Sequence, residues 1–191
     1  GAVLSPILYC VYVDDLLLIL SKAGVSCFIG LHFVGALAYA DDLVLLAPTA
    51  SAMRKLLAIC EDFARDYSIS FNALKSKCLI ASPKNCRNTF KKVNDCSFYI
   101  DGRVIDFVQS FSHLGHLITS DSGDGGDIIV RKHSFIGQVN NILCYFGKLA
   151  SFVQHYLFHA YCTSCYGCEL WSLTYSNVKE FCVAWRKSLR R

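Results

Sequence analysis

The sequence predicts an α+β fold, in which an antiparallel sheet with packed helices is followed by a wholly helical region. Three observations carry that expectation. Short apolar runs flank Asp41-Asp42 as strands flank a turn, and residues 49–67 repeat apolar side chains at intervals of three and four. Across the Gly-rich stretch 120–127 the apolar period changes from two to near 3.6. The expected organisation is a sheet-containing part over 1–119, a linker over 120–127 and helices over 128–191.

Taken in order, Ser5-Pro6 starts a helix, since Ser caps and Pro at the first helical position loses no useful donor. The apolar run that follows, 7–20, is interrupted only by Asp14 and Asp15. Asp tolerates turn geometry, so the runs on either side of Asp41-Asp42 read as a strand, a tight turn and a strand. In the helix over 49–67, Met53, Leu56, Leu57, Cys60, Phe63, Ala64 and Tyr67 share one side, with Arg54, Lys55, Glu61, Asp62, Arg65 and Asp66 on the other. A polar turn sits within 68–80, and 82–96 reads as a basic loop. Asp101-Gly102, between alternating apolar residues, marks a hairpin over 98–105, and 112–118 reads as one further strand. Helices are expected at about 128–147, 150–168 and 174–189. Val178, Phe181, Cys182, Trp185 and Leu189 form one face of the last, and Arg186, Lys187, Arg190 and Arg191 cluster at its end.

At 53% hydrophobic and 18% charged residues, the chain has less polar surface than a freestanding domain of 191 residues shows. That points to a piece of a larger protein whose other parts cover apolar surface. A net charge of +4 permits a polyanionic partner without requiring one. No leader-like segment accompanies the eleven cysteines, so they read as reduced thiols in an intracellular protein of the nucleus or cytoplasm. The uncharged runs 23–40 and 149–168 approach spanning length. Gly24, Gly30, His32 and Gly35 interrupt the first, and Gln154, His155 and His159 the second, so no membrane partner is expected.

Two acidic doublets compete for the chemistry. Tyr12-Val13-Asp14-Asp15 falls in the first helix, where adjacent carboxylates diverge by about 100°. Tyr39-Ala40-Asp41-Asp42 falls at a turn, which would project both carboxylates from one end of a sheet. They would repel each other without a cation between them, and hard oxygen ligands suit Mg²⁺. The bland alternative for such a doublet is an exposed hairpin tip. The acidic Gly-rich stretch 120–127 lacks the length and the terminal Glu of a calcium loop. His155, His159, Cys162, Cys165 and Cys168 have zinc-ligand chemistry. On a continuous helix, however, Cys162 and Cys168 lie about 600° of rotation apart, so helix packing is the expected use.

Tyr39-Ala40-Asp41-Asp42 with its apolar flanks resembles the catalytic hairpin of reverse transcriptases, most closely those of non-LTR (LINE-type) retrotransposons. Gly1-Ala2-Val3-Leu4-Ser5-Pro6-Ile7-Leu8-Tyr9 is similar to the family's Gly-x-x-Leu-Ser-Pro-x-Leu-Phe motif, which lies against template and incoming nucleotide. Asn72-Ala73-Leu74-Lys75-Ser76 is similar to its Asn-x-x-Lys-(Thr/Ser) motif, and Phe111-Ser112-His113-Leu114-Gly115 to its aromatic-x-x-Leu-Gly primer grip. Tyr166-Gly167-Cys168-Glu169-Leu170-Trp171 and Val183-Ala184-Trp185-Arg186-Lys187 resemble the helical region after the palm.

The resemblance implies the C-terminal part of a palm over 1–119 and a thumb-like unit over 128–191. It implies an RNA-directed DNA polymerase that takes deoxynucleoside triphosphates, an RNA template and a DNA primer. Asp41 and Asp42 would be the metal ligands, with Lys75 near the pyrophosphate leaving group. Tyr39, Ala40, Gly1, Ser5, Pro6, Leu114 and Gly115 would line the primer and substrate. The family also needs a further Asp on an earlier palm strand, expected upstream of Gly1 with the fingers, so the chain alone is expected to be inactive. The alternative function is a non-catalytic nucleic-acid-binding or inert remnant of a decayed retroelement.

Overall fold

The computed structural model describes residues 5–81, 97–163, 165–172 and 175–190. Gly1, Arg191 and the basic loop expected at 82–96 lie outside them. Two compact units divide the chain, one taking residues up to Cys78 with the stretch ending at Phe107, the other taking Leu79 and the residues from Val108 onward.

In the first unit, helix α1 spans Ser5–Lys22, with Asp14 and Asp15 on its exposed surface. Two hairpins follow, β1–β2 (Phe28–Ile29 with His32–Phe33) and β3–β4 (Ala36–Tyr39 with Asp42–Leu45), both antiparallel. Helix α2 (Ala50–Asp66) is capped at Thr49, whose hydroxyl accepts the Ala52 N–H at 3.1 Å. It stops where Ser68 turns left-handed at φ 54°, and the Ile69 N–H closes back on the Ala64 carbonyl at 2.8 Å.

The apolar side of α2 serves two clusters. Leu56, Cys60 and Phe63 pack with Leu16 and Leu20 of α1 and Ala36 of β3, while Leu57 packs with Ala73, Phe98, Ile100 and Ile105. Strand β5 (Lys77–Leu79) pairs with β8 (Asp106–Val108). Strands β6 (Tyr99–Ile100) and β7 (Arg103–Val104) form the hairpin expected at Asp101-Gly102, and both turn residues have positive φ, 50° and 69°. Each sheet among the described residues has two strands.

The second unit corrects several expectations. The single strand expected over 112–118 is a hairpin, β9 (Ser110–His113) with β10 (His116–Thr119), turning at Leu114-Gly115 with φ 47° and 78°. Leu carries no turn signal, and apolar alternation continues on both sides of it, which hid the reversal. The helix expected over 150–168 ends at Cys162, and beyond it Gly167 is left-handed at φ 79°. A 3₁₀ turn, Cys168–Leu170, follows.

Helix α3 (Gly125–Phe146) starts inside the stretch read as a linker and buries Asp127 in its first turn. Helices α4 (Ser151–Cys162) and α5 (Tyr175–Leu189) pack on α3. Phe135 stacks on Trp185 at 5.1 Å and lies 5.8 Å from Phe181, so the expected apolar face of α5 does face inward. Leu189 is exposed and stands apart from it. No described helix is long and apolar enough to cross a membrane.

Candidate active site at the acidic hairpin

The β3–β4 register pairs Ala36 with Leu45, Leu37 with Val44, Ala38 with Leu43 and Tyr39 with Asp42. Ala40 and Asp41 are therefore the two residues of the turn. Ala40 sits at φ 49°, a left-handed conformation that costs a residue bearing a Cβ about 1–2 kcal/mol. Asp41 follows in the turn and Asp42 opens β4, and both are exposed. Among the described residues neither carboxylate is in an ion pair. This is the tip geometry expected for the second doublet, whereas the first lies along a helix.

Helix α1 reaches the same tip. Leu16 and Leu20 pack against Ala36 at the root of β3. From Leu20 back to Tyr9 the helix spans about 16 Å, and from Ala36 out to Asp41 the strand spans about as much. Tyr9, on the same face as Leu16 and Leu20, thereby comes level with the doublet. Burial pushes the Tyr9 hydroxyl above its ordinary pKa, and the negative charges of Asp41 and Asp42 push it further. Tyr9 stands where the motif has Phe, and that substitution was the available signal that a hydroxyl is brought to this tip.

Lys75 lies in an Asn-anchored turn. The Asn72 side-chain oxygen accepts the N–H groups of Leu74 and Lys75 at 3.1 and 3.2 Å, and the Asn72 carbonyl accepts the Ser76 hydroxyl at 2.9 Å. The motif's Asn thus shapes the backbone that presents the Lys, a role sequence reading left unassigned. Lys77 is tied to Asp106 at 2.6 Å, while Lys75 is exposed and, among the described residues, makes no ion pair.

Ser5 and Pro6 are helical residues of α1, and Gly1 is outside the described residues. The structure brings Tyr39, Ala40, Asp41, Asp42 and Tyr9 together. Leu114 and Gly115 form the β9–β10 turn in the second unit. No group of three or more His, Cys, Asp or Glu side chains placed to hold a metal occurs among the described residues. The cysteine series does not lie on one continuous helix, since Cys162 closes α4 and Cys168 belongs to a separate 3₁₀ turn.

The profile of the reverse transcriptase (RNA-dependent DNA polymerase) family matches residues 1–118. The chain belongs to that family. The matched stretch contains the acidic hairpin, the Lys75 turn and nearly all of the β9–β10 hairpin. A retrovirus-related Pol polyprotein from type-1 retrotransposable element R2 of Popillia japonica is 34% identical over 122 residues, which cover 61% of this chain and 17% of that protein. No solved structure matches.

Proposed function

We propose that this reverse transcriptase segment carries part of the polymerase centre of a non-LTR retrotransposon enzyme. Residues 1–119 contribute the C-terminal part of the palm, and the helices over 128–191 a thumb-like unit. The observation that carries the reading is the β3–β4 hairpin, whose two-residue turn places Asp41 and Asp42 side by side at an exposed tip inside the family-matched stretch. Two adjacent carboxylates without a protein cation fit a hard divalent ion as two of its ligands. Asp41 and Asp42 would hold Mg²⁺, which when bound supplies electrostatic stabilisation of the attacking and leaving oxygens.

The reaction is attack of a primer 3′-hydroxyl on the α-phosphate of a deoxynucleoside triphosphate, with release of pyrophosphate. The Lys75 ammonium offsets charge growing on the leaving group. Tyr39, paired across the strands with Asp42, supports the hairpin beside the primer end, and the Leu114-Gly115 turn holds the primer. The RNA template and DNA primer are the nucleic-acid partners, and the site of action is intracellular, in the nucleus or cytoplasm.

Two carboxylates make only part of such a site, and no third ligand group joins them among the described residues. The chain therefore works with a further Asp supplied by another segment of a longer polypeptide, and alone it does not extend a primer. Primer extension on an RNA template with Mg²⁺ tests both statements. The isolated chain should give no product, and a longer polypeptide containing it should lose at least about 100-fold in rate on Asp41→Asn. Extension by the isolated chain that Asp41→Ala abolishes would overturn the need for a further ligand. Full activity of the Asp41→Asn polypeptide would overturn the site. Salt-dependent RNA–DNA duplex binding without extension by any longer form would favour the non-catalytic remnant instead.

A further inference from the structure

We propose that Asp127 is a positioning residue, whose buried carboxylate sets the conformation of the Leu114-Gly115 turn. The functional half of this proposal rests on the primer-holding reading of that turn.

The carboxylate, 2% exposed in the first turn of α3, is held on both oxygens. Its Oδ1 accepts the Leu117 N–H at 3.0 Å, and its Oδ2 accepts the Trp171 indole N–H at 2.7 Å. His116 Nδ1 lies 3.2 Å from the same Oδ2, and His116 Nε2 lies 3.1 Å from the Gly167 carbonyl. The imidazole thus stands between the Asp127 carboxylate and the Gly167 carbonyl. Arg131 stands on the other side. Its Nε is 3.9 Å from Oδ1, its guanidinium donates to the Gly115 carbonyl, and it lies 5.5 Å over the Tyr166 ring.

One buried anion thereby governs three consecutive residues, Leu117 directly, His116 through its ring and Gly115 through Arg131. These residues complete a turn whose Leu114, at φ 47°, is in a region that Leu rarely adopts. The Tyr166-Gly167-Cys168-Glu169-Leu170-Trp171 string serves the same anion. Tyr166 packs on Arg131, Gly167 accepts from His116, and Trp171 donates to Asp127.

Asp127→Asn keeps the shape but sets an NH₂ against donors. Two measurements on the full 191-residue chain test the proposal: the ¹H–¹⁵N spectrum, and the Kd for a fluorescein-labelled RNA–DNA primer–template at low salt. Asp127→Asn should move the Trp171 indole resonance and the amides of residues 114–117 while leaving the Trp185 indole in place, and should weaken binding at least about tenfold. Trp171→Phe, which removes one donor and keeps a ring beside Phe181, should move the same amides less and serves if the Asn variant does not fold. Leu114→Asp, at an exposed position outside this network, separates the two ideas by placing a negative charge on the turn. Weakened binding by Leu114→Asp with unchanged amides and Kd in Asp127→Asn would overturn the positioning role. Unchanged Kd for Leu114→Asp would overturn the primer-holding reading, and the functional half of the proposal with it.

Discussion

Gly167→Ala is a severe test of how tightly the second unit is built. A Cβ at this position would lie 1.8 Å from His116 Nε2 and 2.6 Å from its Cδ2, so the imidazole must leave. The φ of 79° adds about 1–2 kcal/mol for placing a side chain in left-handed backbone. Leaving also abandons the Gly167 carbonyl and one of the donors to the buried Asp127, worth about 1–3 kcal/mol. The expected total is about 2–5 kcal/mol, a large share of a domain's stability. Both tryptophans, Trp171 and Trp185, lie in this unit, so urea unfolding followed by tryptophan fluorescence reads it directly. The midpoint should fall by about 1 M or more. Gly115→Ala is the control, because φ is 78° but the nearest atoms would be at 3.6 Å, leaving only the backbone cost. Equal losses for the two variants would refute the steric argument, and no loss for Gly167→Ala would refute the whole network geometry.

Leu56→Ala, at 0% exposure where α1, α2 and β3 meet, should cost about 2–5 kcal/mol in urea unfolding of the first unit, followed by far-ultraviolet dichroism. Ala40→Gly should stabilise the β3–β4 turn by up to about 1 kcal/mol, since Gly adopts its left-handed φ without steric cost, and amide exchange across the hairpin measures it. Burial, aided by Glu61, pushes the Cys60 thiol up to about 12, and burial pushes Cys78 up to about 11, from an ordinary value of 9.0. Folded-state pKa values above the unfolded one mean a contribution fully present below about pH 9 and lost as pH rises through the folded values, so the urea midpoint should decline above pH 9. Cys60→Ala should flatten that decline. Iodoacetamide at neutral pH should modify exposed Cys10 and Cys144 well before Cys60.

The sequence displayed most of the first unit. The spacing of Leu56, Cys60 and Phe63, the Asp101-Gly102 turn and the acidic hairpin were all local patterns, and local backbone preferences decided them. That Asp14 and Asp15 lie on a helix was also legible, from the long apolar run around them. What escaped was set by contacts between distant residues. Leu114 turns left-handed where Arg131 and Tyr166 hold the neighbouring glycine, and no local signal marks it. Gly125, Gly126 and Asp127 looked like linker because Gly and Asp suit loops. Asp127 is helical and buried because Leu117, His116 and Trp171 supply its hydrogen bonds. The end of α4 escaped as well, since Cys162, Cys165 and Cys168 kept an apolar rhythm past it.

The outward side of α1 has a bearing on handling. Val11 and Leu18 are 61% and 55% exposed, opposite the side that packs on Ala36. Apolar side chains left facing water favour association. Molecules of the isolated chain should stick to one another through this surface as concentration rises, so dilute samples are the right starting point for any titration.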